Sequence, residues 1–189
     1  MRDGTETRKK LERAALTFFV QKGVNATTIK DIAKASHIAE GTLYRHYVSK
    51  EALAEALFIR GYEMVLGNLQ QLIGNAKGLD DIITKMVHYF CEKYDEDPIL
   101  FNYLLLVQHN LRSAINNEMN AHRFFVQLFK QAIADKTLPT QDADFCALVL
   151  TGIVLQAAVS RVYGRIQRSM VADQDQLVCA VLGALRALK

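Results

Sequence analysis

Apolar positions recur at helical spacing along almost the whole of this 189-residue chain. Leu11, Ala14, Ala15, Phe18 and Phe19 trace one stripe, which predicts a helix from about Thr5 to Lys22. Gly23 stands just past its end, where a left-handed backbone closes a helix. Ile29, Ile32 and Ala33 predict a second helix of about two turns. Thr27 and Thr28 precede it, so that a hydroxyl can accept a backbone N–H at its open end, and Asp31 puts negative charge where the helix dipole favours it. Ser36-His37-Ile38-Ala39 interrupts the pattern. His37 falls where a positive φ is most needed, and histidine tolerates it better than most non-glycine residues. A third helix, Glu40 to about His46, buries Leu43 and Tyr47 on one side. Glu40, Gly41, Thr42, Tyr44, Arg45 and His46 stay on or near the other, a polar, aromatic and partly cationic face of the kind that reads a DNA major groove.

From Ser49, a plausible N-cap, a longer helix runs to about Leu72, carrying Leu53, Leu57, Met64, Leu66 and Leu69. The run Gly74-Asn75-Ala76-Lys77-Gly78 breaks it. Further helices are predicted over about 79–94, 98–110, 114–135, 140–166 and 172–188, with Pro98 and Pro139 at helix starts. No internal repeat or long linker interrupts the series. The expected fold is all-α: an N-terminal three-helix helix-turn-helix head joined to a larger helical body.

Composition agrees, since half of the residues are apolar and two are proline. The net charge of +3 gains meaning when it is divided along the chain. Residues 1–50 hold ten Lys and Arg against five Asp and Glu, whereas residues 51–189 hold thirteen against fifteen. A basic head on a slightly acidic body is the footprint of a phosphate-binding protein. No apolar run is read as long enough to span a bilayer, and MRDGTETRKK lacks a signal-peptide core, so a cytoplasmic location and no membrane partner are expected. Cys91, Cys146 and Cys179 are odd in number and sit in apolar helical patterns, so buried thiols are expected.

Thr27, Thr28, Ile32-Ala33, Ala35, Ile38, Gly41-Thr42-Leu43-Tyr44, His46-Tyr47 and Ser49-Lys50-Glu51-Ala52-Leu53 resemble, in order and spacing, the tetracycline-repressor (TetR) family of bacterial one-component regulators. The family usually has Gly where His37 stands and Ser where Ala39 stands; the second change removes a hydroxyl cap and a phosphate contact. The resemblance implies a DNA-binding domain over 1–48 and an effector-binding and dimerisation domain over 49–189. It places Thr42, with Glu40 or Arg45, at bases of an inverted-repeat operator in double-stranded DNA. Gly41 belongs to the same reader, and Thr27, Thr28, Tyr44, His46 and Lys50 hold phosphates. The last two helices would meet their copies in a homodimer, through faces such as Leu148, Val154, Val162, Val178, Leu182 and Leu185. The function implied is a ligand-responsive transcription regulator, a repressor released by a small, mostly apolar effector.

Met86, Tyr89, Phe90, Phe101, Leu104, Gln108, Phe125 and Phe129 are the candidate lining of an effector pocket. Each aromatic among them reads more readily as packed core than as pocket lining, and the resemblance rather than the spacing favours a pocket. Catalytic and cofactor signals are poor. His88-x-x-Cys91 offers two metal ligands on one helical face without a second pair, and no phosphate loop or nucleophile elbow exists, so neither metal, cofactor nor enzyme activity is expected. Arg8, Lys9 and Lys10 read either as a solvated helix start or as phosphate contacts, and Arg161, Arg165 and Arg168 as a solvated helix end. The competing reading is a small-molecule sensor or carrier whose head contacts protein instead of DNA.

Overall fold

The structure is a computed structural model and describes residues 4–106 and 121–188. Among the described residues lie nine α-helices: α1 (Gly4–Ala26), α2 (Ile29–Ser36), α3 (Glu40–His46), α4 (Lys50–Gly74), α5 (Leu79–Glu96), α6 (Pro98–Leu106), α7 (Ala121–Ala134), α8 (Ala143–Val162) and α9 (Gln174–Ala187). A single 3-10 turn, Val171–Asp173, leads into α9, and no strand occurs among the described residues. The all-helical expectation therefore holds. Boundaries differ where charge rather than apolar spacing sets them. α8 begins after an N-cap at Asp142, whose carboxylate accepts the Phe145 N–H at 2.9 Å, so Pro139 lies in the preceding connection and not at the helix start. At its other end Gly164, with φ 65°, stops α8 short of Ile166.

The described residues pack into two compact units, one of residues 4–63 with 99–106 and the other of 64–98 with 121–188. The first unit's core joins Leu11, Leu16 and Phe19 of α1 to Ile32 of α2, Leu43 of α3, Leu53, Leu57 and Phe58 of α4, and Tyr103 of α6. Helices of seven or eight residues are marginal in isolation, so α2 and α3 depend on this burial. Leu43 is wholly buried, and fully burying such a side chain contributes roughly 1.5–3 kcal/mol. Tyr103 stacks on Phe19 with ring centroids 5.9 Å apart and donates its hydroxyl to the Ala54 carbonyl at 2.7 Å. Gly61 of α4 permits α6 to come close: a Cβ there would lie 3.1 Å from Leu104 Cδ2 and 3.2 Å from Leu100 Cδ1.

In the second unit α5 and α8 both pack on α9, and α7 packs on α8. Two carboxylates fasten the entry to α9, while Gln174 Oε1 is buried there without a hydrogen-bond partner. Asp173 is buried and binds Arg161 at 2.6 Å and Arg168 at 2.5 Å, while the Asp95 carboxylate accepts the Met170 and Val171 N–H groups at 2.9 Å each. Arg161 is thus an internal partner that fastens the entry to α9, not part of a solvated face; its side chain is 7% exposed. Cys91 and Cys146 are buried, but Cys179 is exposed, because Val178 and Val181 take the inward positions of α9. α8 also departs from expectation. It is 20 residues long with mean hydropathy 1.9, enough by length and composition to cross a bilayer, and its charges Asp144 and Arg161 fall near its ends. Only 28% of that apolar stretch is buried, leaving Phe145, Leu148 and Val162 exposed.

Candidate nucleic-acid interface

The helix-turn-helix is built by local hydrogen bonds that its sequence specifies. Thr28 caps α2 through a reciprocal pair: the Asp31 N–H donates to Thr28 Oγ1 at 3.1 Å, and the Thr28 N–H donates to Asp31 Oδ2 at 3.0 Å. Lys22 adds an ion pair to the same carboxylate at 2.7 Å, and with Thr28 it holds the Asp31 carboxyl well below its ordinary range. At the other end of α2, His37 takes φ 56°, ψ 41°. Its N–H donates to the Lys34 carbonyl at 3.3 Å and the Ile38 N–H to the Ala33 carbonyl at 3.0 Å, a Schellman closure made without glycine. Ala39 precedes α3 with extended backbone and supplies no side-chain cap.

α3 turns Leu43 inward, and Tyr47 is buried directly after it. Glu40, Gly41, Tyr44, Arg45 and His46 are exposed, Thr42 is half-buried, and Tyr44 keeps 55% of its surface open. A Cβ at Gly41 would meet nothing within 4 Å, so no internal packing demands glycine there. Thr28 is exposed, and its hydroxyl is engaged in the α2 cap.

Two of the residues assigned to phosphates are turned inward. Thr27 is wholly buried and donates its hydroxyl to the Gly23 carbonyl at 2.7 Å, where α1 departs from helical geometry at φ 81°. Its threonine therefore serves the α1–α2 connection rather than the surface. Lys50 Nζ donates to the Thr27 carbonyl at 2.8 Å and to the Asn25 carbonyl at 3.2 Å, and its side chain is 16% exposed. It closes the same connection from α4, whose first turn is capped by Ser49 through the Ala52 N–H at 3.0 Å. Arg8 is exposed but has partners within the head, Glu12 at 2.7 Å and the Tyr47 ring at 5.6 Å. Neither Lys50 nor Arg8 shows its reach to carbonyl and carboxylate in sequence, where each is simply a cation in a basic segment.

The proposed effector residues are divided between the two compact units. Phe101 is buried and Leu104 packs on α4, both in the first unit, whereas Met86, Tyr89, Phe90, Phe125 and Phe129 belong to the second. Gln108 lies outside the described residues. Met86 and Phe129 are core side chains, and Phe90 stacks on Tyr94 at 6.3 Å. Tyr89 accepts a hydrogen bond from Asn68 Nδ2 at 2.9 Å, and Phe125 meets Phe124 edge-on at 5.4 Å. His88 Nε2 sits 2.9 Å from Asp175, while Cys91 is buried and its thiol is pushed up to about 11 by burial. Among the described residues no three His, Cys, Asp or Glu are grouped to hold a metal.

A buried two-helix corner with an exposed polar helix, on a basic head, defines a helix-turn-helix protein. Residues 12–57 match the family model of bacterial regulatory proteins, tetR family. The match covers the helix-turn-helix head, which is similar in sequence to the DNA-binding domain of that family. The chain is 26% identical over 129 residues to the HTH-type transcriptional regulator UidR of Escherichia coli, a match that covers 67% of this chain and 66% of that one, just short of two thirds. Over 69 residues it is 36% identical to the HTH-type transcriptional repressor KstR2 of Mycolicibacterium smegmatis, covering 36% of this chain and 34% of that one. The fold is also that of the transcriptional regulator FadR from Bacillus subtilis in complex with stearoyl-CoA, with TM-score 0.79, 17% identity, and coverage of 92% of this chain and 97% of that one.

Proposed function

We propose that this chain is a homodimeric, ligand-responsive repressor that binds an inverted-repeat operator through α3 and releases it when a small, mostly apolar effector is bound. The observation that carries the reading is the presentation of α3. Leu43 and Tyr47 anchor it from behind, and every side chain on its outer face except half-buried Thr42 is open to a partner. Thr42 reads bases with Glu40 or Arg45, and Gly41 lets the α3 backbone come near the groove wall. Thr28, Tyr44 and His46 hold phosphates, whereas Thr27 and Lys50 act from behind by fixing the loop that carries Thr28. Residues 1–48 are the reader and 49–189 the effector and dimerisation domain.

Dimerisation through α8 and α9 is supported by the exposed apolar surface of α8. A two-fold dimer also supplies paired readers for half-sites about one helical turn, roughly 34 Å, apart. An apolar effector is supported by the aromatic-rich helices α5 and α7 and by the stearoyl-CoA bound to the Bacillus subtilis FadR of the same fold. Such a protein works in the cytoplasm and needs no membrane, cofactor or catalysis. Selection of bound duplexes from a random pool, with and without long-chain acyl-CoA, tests reader and switch. An enriched inverted repeat, lost binding on adding effector, and a changed base preference in Thr42→Ala are the expected results. DNA binding with neither sequence preference nor salt dependence would instead favour a sensor or carrier whose head contacts protein.

A further inference from the structure

α3 has a weakly fixed N-terminal end and a strongly fixed C-terminal one. At the first, Ala39 offers no side-chain hydrogen bond. At the second, the Tyr47 hydroxyl donates to Glu12 Oε1 at 2.5 Å, and Arg8 Nε donates to that hydroxyl at 3.2 Å and to Glu12 Oε1 at 2.7 Å. The second Glu12 oxygen binds Arg60 Nη2 at 2.8 Å. One carboxylate of α1, with its side chain 15% exposed, therefore links the end of α3 to α1 and α4. Burial of Leu43 holds α3 down but is non-directional, so it leaves rotation about that contact free. Hydrogen bonds to a charged acceptor are directional and strong, and they can set that rotation.

We propose that Glu12 is a positioning residue for DNA reading: through the Tyr47 hydroxyl it sets the angle at which α3 presents its outer face, without itself touching DNA. The inference rests on the DNA-binding role proposed above. A misaimed reader loses contacts to base edges, which need fixed geometry, sooner than contacts to phosphates, which line every duplex. Loss of the Tyr47–Glu12 bond must therefore lower discrimination between sequences more than it lowers affinity for DNA in general.

Tyr47→Phe tests this without changing charge, and the ring keeps its packing. The full chain is titrated with a duplex selected from a random pool by the wild type and with a scrambled duplex, each over a range of salt. The expected result is about tenfold weaker binding of the selected duplex, the size of one lost base contact, with scrambled binding and its salt slope unchanged. Glu12→Ala, which removes the acceptor of the Tyr47 hydroxyl and also frees Arg8 and Arg60, should reduce the same preference, and adding Tyr47→Phe to it should reduce that preference no further, because the bond is already gone. Equal weakening on both duplexes, or a lower unfolding midpoint with preference intact, overturns the inference. A wild type that selects no sequence overturns the DNA-binding reading as well; a selective wild type matched by Tyr47→Phe overturns the positioning role alone.

Discussion

Lys50→Ala separates two roles for a residue that the family resemblance puts on a phosphate. In the structure its ammonium donates to the carbonyls of Thr27 and Asn25. A hydrogen bond to a charged group contributes roughly 1.5–3 kcal/mol net. Asn25 is exposed, so water replaces Lys50 at its carbonyl and that bond counts for little. Thr27 is wholly buried, and its carbonyl loses its charged donor, so the cost should be about 2 kcal/mol. With a urea dependence of roughly 1–3 kcal/mol per molar, the unfolding midpoint should fall by about 1 M. Operator affinity is then measured as salt is raised. A phosphate contact contributes about 0.9 to the slope of log affinity against log salt, so a lysine spent inside the head leaves that slope unchanged on removal. Unaltered stability together with a slope reduced by about 0.9 would refute the internal role and return Lys50 to the phosphates.

His37→Gly should stabilise the chain by about 0.5 kcal/mol in urea unfolding: it relieves roughly 1 kcal/mol of left-handed strain but adds freedom to the unfolded chain. Gly61→Ala should destabilise it despite a helix-propensity gain of about 1 kcal/mol, since the new methyl meets Leu104 and Leu100 at 3.1–3.2 Å; a higher urea midpoint would show that both leucines can yield. Glu12 gives stability a defined pH dependence. Burial raises its carboxyl pKa, but hydrogen bonds from Tyr47, Arg8 and Arg60 outweigh burial and leave it below the ordinary 4.5. Its contribution is thus complete above about 4.5 and is lost as pH falls through the lower folded value, so Glu12→Gln should flatten the acid limb of stability measured by urea unfolding between about pH 5 and 3.

The local chemistry of the head was legible in the sequence because its determinants are neighbours along the chain. Thr28 and Asp31 form a reciprocal cap three residues apart, His37 closes a helix within its own turn, and Leu43 faces inward by helical period alone. Family motif and charge division added the reader's outer face, which needs no tertiary contact to be exposed. Helix existence in the body was likewise readable, though Asp142 and Gly164 moved the ends of α8.

Partners distant in sequence could not be read in this way. Lys50 lies 23 residues from the carbonyl it holds, Glu12 lies 35 from the hydroxyl it accepts, and Tyr103 lies 49 from the carbonyl it binds. A lysine, a glutamate and a tyrosine on amphipathic helices carry no mark of which distant group they will meet. The same limit governs the effector residues, since helical period says that Met86 or Phe129 faces inward but not whether it faces packed side chains or a ligand. The sequence by itself therefore determined the helices, the corner between α2 and α3 and the face that α3 offers, because backbone hydrogen bonding and amphipathic period act over a few residues. Only the tertiary structure decided that Thr27 and Lys50 serve the head from within and that Arg8 meets Glu12 and Tyr47, because charge and hydroxyl groups are satisfied by whichever backbone or carboxylate the folded chain brings to them.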